Sequence, residues 1–190
     1  MAKSHIKDAM VTALKDLSRT KSFQKITIND IVNECEISKQ TFYNHFYDKN
    51  DLILYSCTSE ARRIIKDAML AGSNYKSAIL QYYEKAITQK YFYRSFIREP
   101  YLQIMLLNSV ADSSSEYVKK QIEHHHGSSE LSPALKLAIQ FNGAGNAKLF
   151  VDWIIDNMSI PPEIMADVNF SCIPEPLKSY FNYEEISIMY

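Results

Sequence analysis

A short stretch near the N-terminus concentrates side chains that could contact a nucleic acid. The amides of glutamine and asparagine pair with adenine edges, lysine reaches guanine or phosphate, and the threonine methyl group can contact thymine. Tyrosine hydroxyls and cationic side chains hold backbone phosphates. On these grounds we predict base contacts by Lys39, Gln40, Thr41 and Asn44. We predict phosphate contacts by Tyr43, His45, Lys49 and the hydroxyl group of Thr27. An ordinary solvated helix face is the alternative for such polar residues taken alone.

Three consecutive helix starts position this stretch. Each begins with a good N-cap residue and has an oxygen-bearing residue three positions later: Thr27 and Asp30, Ser38 and Thr41, Asp48 and Asp51. Each is flanked by an apolar pair at the spacing of a hydrophobic staple: Ile26 and Ile31, Ile37 and Phe42, Tyr47 and Leu52. A short helix, a tight turn and a second short helix form a helix-turn-helix. We therefore predict that residues 38–46, capped by Ser38, enter the major groove, while Phe42 and Phe46 face inward.

The same residues resemble a known family. Phe23, Ile26-Thr27-Ile28-x-Asp30-Ile31 and Ile37-Ser38-x-x-Thr41-Phe42-Tyr43-x-His45-Phe46-x-x-Lys49-x-x-Leu52 look like the DNA-binding signature of the TetR/AcrR transcriptional regulators. The resemblance spans residues 6–55. One departure is Cys35-Glu36, where the family usually has Ala-Gly. Glycine relieves a positive φ at such a turn, so Glu36 predicts a strained or altered turn and brings a negative charge near DNA.

Composition predicts an all-α fold. The 190-residue chain has four glycines and no Asn-Gly or Asp-Gly hairpin signal, and prolines are absent before Pro100. Apolar spacing predicts helices over residues 4–18, 48–71, 75–90, 91–98, 102–123 and 133–157, with a break at Pro100 and a shorter helix after Pro162. We expect an N-terminal three-helix bundle with the helix-turn-helix in residues 1–47. A connecting helix over residues 48–71 would lead to a helical ligand-binding and dimerisation domain in residues 72–190.

Charge and cysteine usage restrict the function further. With a net charge of −1, the molecule as a whole does not attract DNA electrostatically. A basic footprint would therefore be local, at the N-terminus and the following lysines: Lys3, Lys21, Lys25, Lys39 and Lys49. The three cysteines are odd in number and scattered, which indicates a reducing compartment. With no apolar stretch of membrane-spanning length and a polar N-terminus, we expect a cytoplasmic protein without a signal peptide or membrane contact.

No pattern in the sequence indicates catalysis or metal binding. Phosphate-loop, dinucleotide-binding, zinc-protease and nucleophile-elbow motifs are absent, so we do not expect an enzyme, a catalytic residue or a cofactor. The run His124-His125-His126 is the one group of possible metal ligands. Three successive histidines on a helix cannot all face one ion, and no cysteine or acidic cluster with ligand spacing lies beside them. We therefore expect no metal site.

The C-terminal half is rich in aromatic residues and contains an unusual glycine pair. The aromatics could line a ligand pocket or pack as ordinary core, and the sequence leaves both open: Tyr75, Tyr82, Tyr83, Tyr91, Phe92, Tyr93, Phe96, Tyr101, Tyr117, Phe141, Phe150 and Trp153. Gly143 and Gly145 within a predicted helix favour close approach of another helix. The family resemblance implies that residues 133–157 and 161–172 form a four-helix dimer interface. Within the family, this half looks most like the branch that includes the dihydroxyacetone kinase operon activator.

These predictions combine into one expected function. The chain would act as a DNA-binding transcriptional regulator that reads a palindromic operator on double-stranded DNA as a homodimer. A small-molecule effector or a partner protein, bound in the C-terminal domain, would modulate its DNA affinity. The alternative is a co-regulator of the same fold that acts mainly through a protein partner, with Glu36 weakening its own DNA binding.

Overall fold

The computed structural model describes residues 2–126 and 131–181, and the side chains of residues 5–123 and 131–181. These residues form helices joined by short connections, with no β-strand in either described range. The helices are α1 Ala2–Leu17, α2 Ile28–Glu34, α3 Lys39–Tyr43, α4 Lys49–Leu70, α5 Tyr75–Thr88, α6 Lys90–Phe96, α7 Pro100–His126, α8 Pro133–Ile155, α9 Pro162–Ser171 and α10 Glu175–Lys178. A single 3-10 turn, Phe23–Lys25, precedes α2. The predicted all-α fold is confirmed.

Two predicted boundaries differ from the structure. The helix expected over residues 38–46 ends at Tyr43, because the N–H groups of both His45 and Phe46 turn to the carbonyl of Phe42. This tightened last turn lets the chain reach the next helix start at Asp48. Pro100, predicted as a break, is the first residue of α7, a position where a missing N–H costs nothing.

The N-terminal helices share one apolar core. Phe42, Phe46 and Ile31 are buried, and Met10 and Leu14 of α1 cover them from the other side. The predicted inward orientation of the two phenylalanines is confirmed. Because both sit on or directly after α3, their burial fixes which face of α3 points outward.

Helix α4 runs from this core into the C-terminal helices without a break. Leu52 and Ile53 are buried at its start and Ala68 and Met69 at its end. It packs against α1 at one end and against α5 and α7 further along. One continuous helix thus connects the surroundings of α5 and α7 with the N-terminal core.

Helices α7 and α8 pack closely, and Gly143 makes that approach possible. A Cβ atom at Gly143 would meet the hydroxyl of Ser115 and lie 2.7 Å from the carbonyl oxygen of Ala111. At Gly145 a Cβ atom would meet nothing within 4 Å. The two glycines therefore differ: Gly143 serves packing within the chain, and Gly145 lies on the exposed surface of α8.

None of the described helices combines the length and the apolar character needed to cross a membrane. Near the end of the chain the structure has the four-residue helix α10, and residues 182–190 lie outside the described part.

Candidate nucleic-acid interface

The first helix start is a complete capping box. The side chain of Thr27 accepts the Asp30 N–H at 3.1 Å, and the Asp30 carboxylate accepts the Thr27 N–H at 2.8 Å and its hydroxyl at 2.9 Å. Lys21 Nζ lies 3.0 Å from the same carboxylate. These bonds, led by that from the Thr27 backbone, lower the pKa of Asp30 to about 2. Lys21 and Thr27 thus hold the start of α2 in place.

The second and third starts are capped differently. Ser38 Oγ accepts the Thr41 N–H at 3.0 Å and contacts the Thr41 hydroxyl at 2.9 Å. The Asp48 carboxylate caps α4 by accepting two backbone N–H groups. Asp51 accepts the N–H of Tyr47 at 3.0 Å, one residue earlier than a capping box requires. Together the three caps fix α3 between α2 and α4.

The turn before α3 keeps a backbone conformation that favours glycine. Glu36 has φ of 53°, in the left-handed region, and its side chain is exposed. The Ile37 N–H reaches back to the Val32 carbonyl at 3.0 Å, which closes the turn. The strain predicted at Glu36 is therefore present, and the turn retains its shape despite it.

The outward face of α3 carries four of the predicted contact residues. Lys39, Gln40, Tyr43 and Asn44 are exposed and follow the helical spacing of one face. Gln40 Nε2 donates to Asn44 Oδ1 at 3.1 Å, so the two amides are aligned with each other. Thr41 and His45 are half-buried at the edge of this face. The exposed amides and lysine have the chemistry to read base edges.

Lys49 is directed away from this face. Its Nζ donates to the carbonyl oxygens of Phe23 at 2.9 Å, Gln24 at 3.4 Å and Ile26 at 2.8 Å, and lies 4.3 Å from the centre of the Phe23 ring. Desolvation by burial lowers the pKa of this ammonium group. All three N–H donors are occupied within the chain, so the geometry does not fit the phosphate contact predicted for Lys49. This role was missed at the level of the sequence, because the 3-10 turn that carries the Phe23 and Gln24 carbonyls was not predicted.

The local basic footprint is smaller than the sequence suggested. Lys21 is paired with Asp30, Lys49 is bonded to carbonyl groups, and the side chain of Lys3 lies outside the described set. Lys25 and Lys39 remain exposed on the described N-terminal helices, without an ion pair.

A cavity of about 80 Å³ lies among the C-terminal helices. Of the aromatics that the sequence left open, several line it: Tyr75, Tyr82, Tyr83, Tyr117 and Phe150. Phe92, Tyr93, Phe96 and Trp153 are instead buried in the core, while Tyr101 and Phe141 are exposed. Some of the aromatic residues therefore line a cavity and others do not, and a ligand in that cavity stays a prediction.

No group of three possible metal ligands occurs among the side chains that the structure describes. The side chains of His124, His125 and His126 lie outside that set, so the expectation of no metal site there stays a prediction.

Comparisons with known proteins agree with this geometry. Residues 11–55 match the family described as bacterial regulatory proteins, tetR family. The HTH-type dhaKLM operon transcriptional activator DhaS of Lactococcus lactis subsp. lactis (strain IL1403) is 31% identical over 68 residues, which cover 35% of this chain and 36% of that relative. The aligned segment therefore spans little more than a third of the relative.

A solved structure extends the likeness to the rest of the fold. The dihydroxyacetone kinase operon activator DhaS superposes with a TM-score of 0.59 at 16% identity, covering 93% of this chain and 98% of that one. At this identity the superposition establishes the fold alone. Residues 11–55 thus carry the helix-turn-helix domain of the tetR family of bacterial regulatory proteins.

Proposed function

We propose that this protein is a transcriptional regulator that reads a palindromic operator as a homodimer and is not an enzyme. The observation that carries the proposal is the capped α2–turn–α3 unit, which presents aligned amides and a lysine outward: Gln40, Asn44 and Lys39. In this division, residues 1–47 bind DNA, residues 48–71 form the connecting helix and residues 72–190 regulate and dimerise. Each α3 would lie in a major groove, with half-sites about 34–36 Å apart or a multiple of that.

The proposed contacts keep the predicted set with one change. Lys39, Gln40, Thr41 and Asn44 contact bases, and Ser38 caps the helix that carries them. Tyr43, His45 and the hydroxyl group of Thr27 hold phosphates. Lys49 instead supports the turn before α2 and so positions the interface without touching DNA.

Dimerisation is supported by two exposed apolar faces. On α8, Leu137, Phe141 and Gly145 follow one another at intervals of four residues, and the side chains of Leu137 and Phe141 are 66% and 72% exposed. On α9, Ile164 and Val168 repeat the same interval and are also exposed. Large exposed apolar faces mark interaction surfaces, and a two-fold dimer presents the same face on both subunits. We propose that these faces form a four-helix interface in which Gly145 admits the partner helix.

An effector would act through the cavity and α4. The cavity is lined by α4 residues such as Cys57, Ala61 and Arg62, and by residues of α5, α7, α8 and α9. A ligand that prefers one separation of these helices tilts α4 and changes the distance between the two α3 helices. Effector binding and DNA binding are then reciprocally coupled, typically by about 1–3 kcal/mol.

A second candidate function is a co-regulator that acts mainly through a protein partner. It is favoured by the exposed carboxylate of Glu36 beside α3 and by the small number of unpaired lysines on the described N-terminal helices. Such a protein would need the partner to reach useful DNA affinity.

A gel shift on the region upstream of its own gene separates the two functions. We expect the purified protein alone to retard this fragment, and Asn44→Ala to relax the preference at one base step while costing about 1–3 kcal/mol of binding free energy. Retardation that requires a protein from a neighbouring gene would favour the co-regulator. Equal binding of the upstream fragment and unrelated DNA would refute sequence-specific readout.

A further inference from the structure

The cavity among α4, α5, α7, α8 and α9 has a strongly uneven charge. Arg62 is the only charged residue among the described residues that line it. Its Nε donates to Ser113 Oγ at 2.9 Å, and no carboxylate of the described chain pairs with it. The Arg62 side chain is exposed, so it lies at the mouth. The remaining N–H groups of the guanidinium can form a bidentate pair with a carboxylate.

Several polar side chains that line the cavity are hydrogen-bonded to one another, and one acceptor atom among them has no donor. Asn146 Nδ2 donates to Ser114 Oγ at 3.3 Å, and Asn169 Nδ2 donates to Asn146 Oδ1 at 3.1 Å and to the Tyr83 hydroxyl at 3.4 Å. Asn169 is only 6% exposed, and its Oδ1 has no hydrogen-bond partner. A buried acceptor without a donor is unusual in a folded protein. Because Asn169 lines the cavity, a ligand hydroxyl can supply the missing donor and accept the Tyr83 proton in turn.

The remaining lining is apolar and the space is small. Ile65, Ile79, Val110 and Phe150 provide hydrocarbon contacts. The volume of about 80 Å³ is below the roughly 150 Å³ of a cavity that admits benzene. The part of a ligand that enters this space without rearrangement is therefore smaller than an aromatic ring.

We propose that the cavity binds a short-chain hydroxycarboxylate, with its carboxylate on Arg62 and its hydroxyl group between Asn169 and Tyr83. This inference rests on the proposed function only in taking the cavity as the effector site. It names the chemical class of the effector: a compact anion that also donates a hydrogen bond. A neutral polyol would leave Arg62 unpaired, and a simple fatty acid would leave Asn169 Oδ1 unpaired.

Calorimetric titration of the full chain with three molecules of similar size tests the proposal. Lactate carries both groups, propanoate lacks the hydroxyl, and propane-1,2-diol lacks the charge. We expect lactate to bind about tenfold or more tightly than either of the others, because each of them leaves a polar group of the site unsatisfied. Propanoate or the diol binding as tightly as lactate would overturn the proposal, as would no binding of lactate.

Variants assign the two ends of the ligand. Asn169→Leu should weaken lactate but not propanoate, and Arg62→Gln should weaken both acids while leaving the diol unchanged. Arg63→Gln is the matched control, since Arg63 is adjacent, exposed, paired with Asp67 and absent from the cavity lining. It should change none of the three affinities. Thermal unfolding of each variant verifies that it folds. The assignment would be overturned if the folded Arg63→Gln protein lost lactate binding to the same extent as Arg62→Gln.

A gel shift on the same preparation distinguishes a failure of the proposed ligand class from a failure of the proposed regulator function. A protein that retards its operator but binds no lactate overturns the ligand class and leaves the regulator intact. A protein that binds lactate but no DNA overturns the proposed regulator and supports the ligand class.

Discussion

At the scale of the residue, Glu36 combines two effects that can be separated. Its backbone has a positive φ, which costs a non-glycine residue about 1–2 kcal/mol, and its carboxylate lies in the turn before α3. Glu36→Gly removes both effects and Glu36→Gln removes only the charge. We expect Glu36→Gly to raise the free energy of unfolding by about 0.5–1 kcal/mol after the larger entropy of its unfolded chain is counted. We expect Glu36→Gln to leave it unchanged, and both to tighten operator binding.

Urea unfolding and gel shifts measure the two effects independently. Equal stabilisation by both variants would mean that charge, and not φ, limits stability. Equal DNA affinity of Glu36→Gln and the original protein would show that the charge of Glu36 does not weaken operator binding.

We expect opposite roles for Lys49 and Lys39, although both are lysines near the proposed DNA-binding surface. Lys49→Met removes the ammonium bonds to the carbonyls of Phe23, Gln24 and Ile26, of which Phe23 keeps its bond from the Ile26 N–H. It should reduce the free energy of unfolding by about 1–3 kcal/mol. Lys39→Met should leave stability unchanged. If Lys39 neutralises a phosphate, the variant should flatten the slope of log binding constant against log salt concentration by up to about 0.9. If Lys39 instead reads guanine, the variant should relax specificity at one position. A loss of stability in Lys39→Met and none in Lys49→Met would reverse these assignments.

At the scale of the element, the start of α2 should respond to acid. The folded pKa of Asp30 is about 2, below the ordinary 3.8, so the unfolded chain binds the proton more readily. The stabilisation from this carboxylate is therefore complete above pH 4 and is lost as the pH falls through about 2. Asp30→Asn should be less stable than the original protein at pH 7 and equal to it below about pH 2, with Asp16→Asn, a surface ion-pair partner, as the control. A stability difference independent of pH would show that the charge of Asp30 is not the cause.

Local signals predicted the helices, and distant contacts escaped prediction. The caps at Thr27, Ser38 and Asp48 bond to residues two or three positions away, so the sequence pattern contains all the partners. By contrast, Lys15 of α1 pairs with Glu60 of α4 at 2.9 Å, 45 residues along the chain.

Contacts between residues that are distant in the sequence are set by the fold and not by local patterns. Gln89 Nε2, between α5 and α6, donates to the same Glu60 carboxylate at 2.8 Å, and Lys49 reaches carbonyls 23 to 26 residues earlier. The cavity is a further case: Arg62, Tyr83 and Asn169 line one space only after several helices pack. No spacing rule joins residues this far apart, so only the folded chain identifies them as neighbours.

At the scale of the whole molecule, the contacts of Glu60 connect the two halves. This carboxylate is bonded on one side to α1 of the N-terminal core and on the other to the junction of α5 and α6. Its pair with Lys15 is largely shielded, with 12% and 11% of the two side chains exposed. Since breaking one partner of a buried pair costs about 3–5 kcal/mol, the N-terminal core and the C-terminal helices should move together along α4.

The proposed dimer is the remaining feature on which the proposed operator reading depends, because a palindrome requires two α3 helices at a fixed separation. Leu137→Glu places a carboxylate in the exposed apolar face of α8 and should convert a dimer to a monomer in light scattering at micromolar concentration. Its operator affinity should fall, since each monomer retains only half the contacts. Leu70→Glu is the matched control, because Leu70 is also exposed, at 43%, but lies at the end of α4, away from α8 and α9. If Leu137→Glu remained dimeric while Leu70→Glu became monomeric, the interface would lie elsewhere, and the separation of the two α3 helices would have to be set by the end of α4.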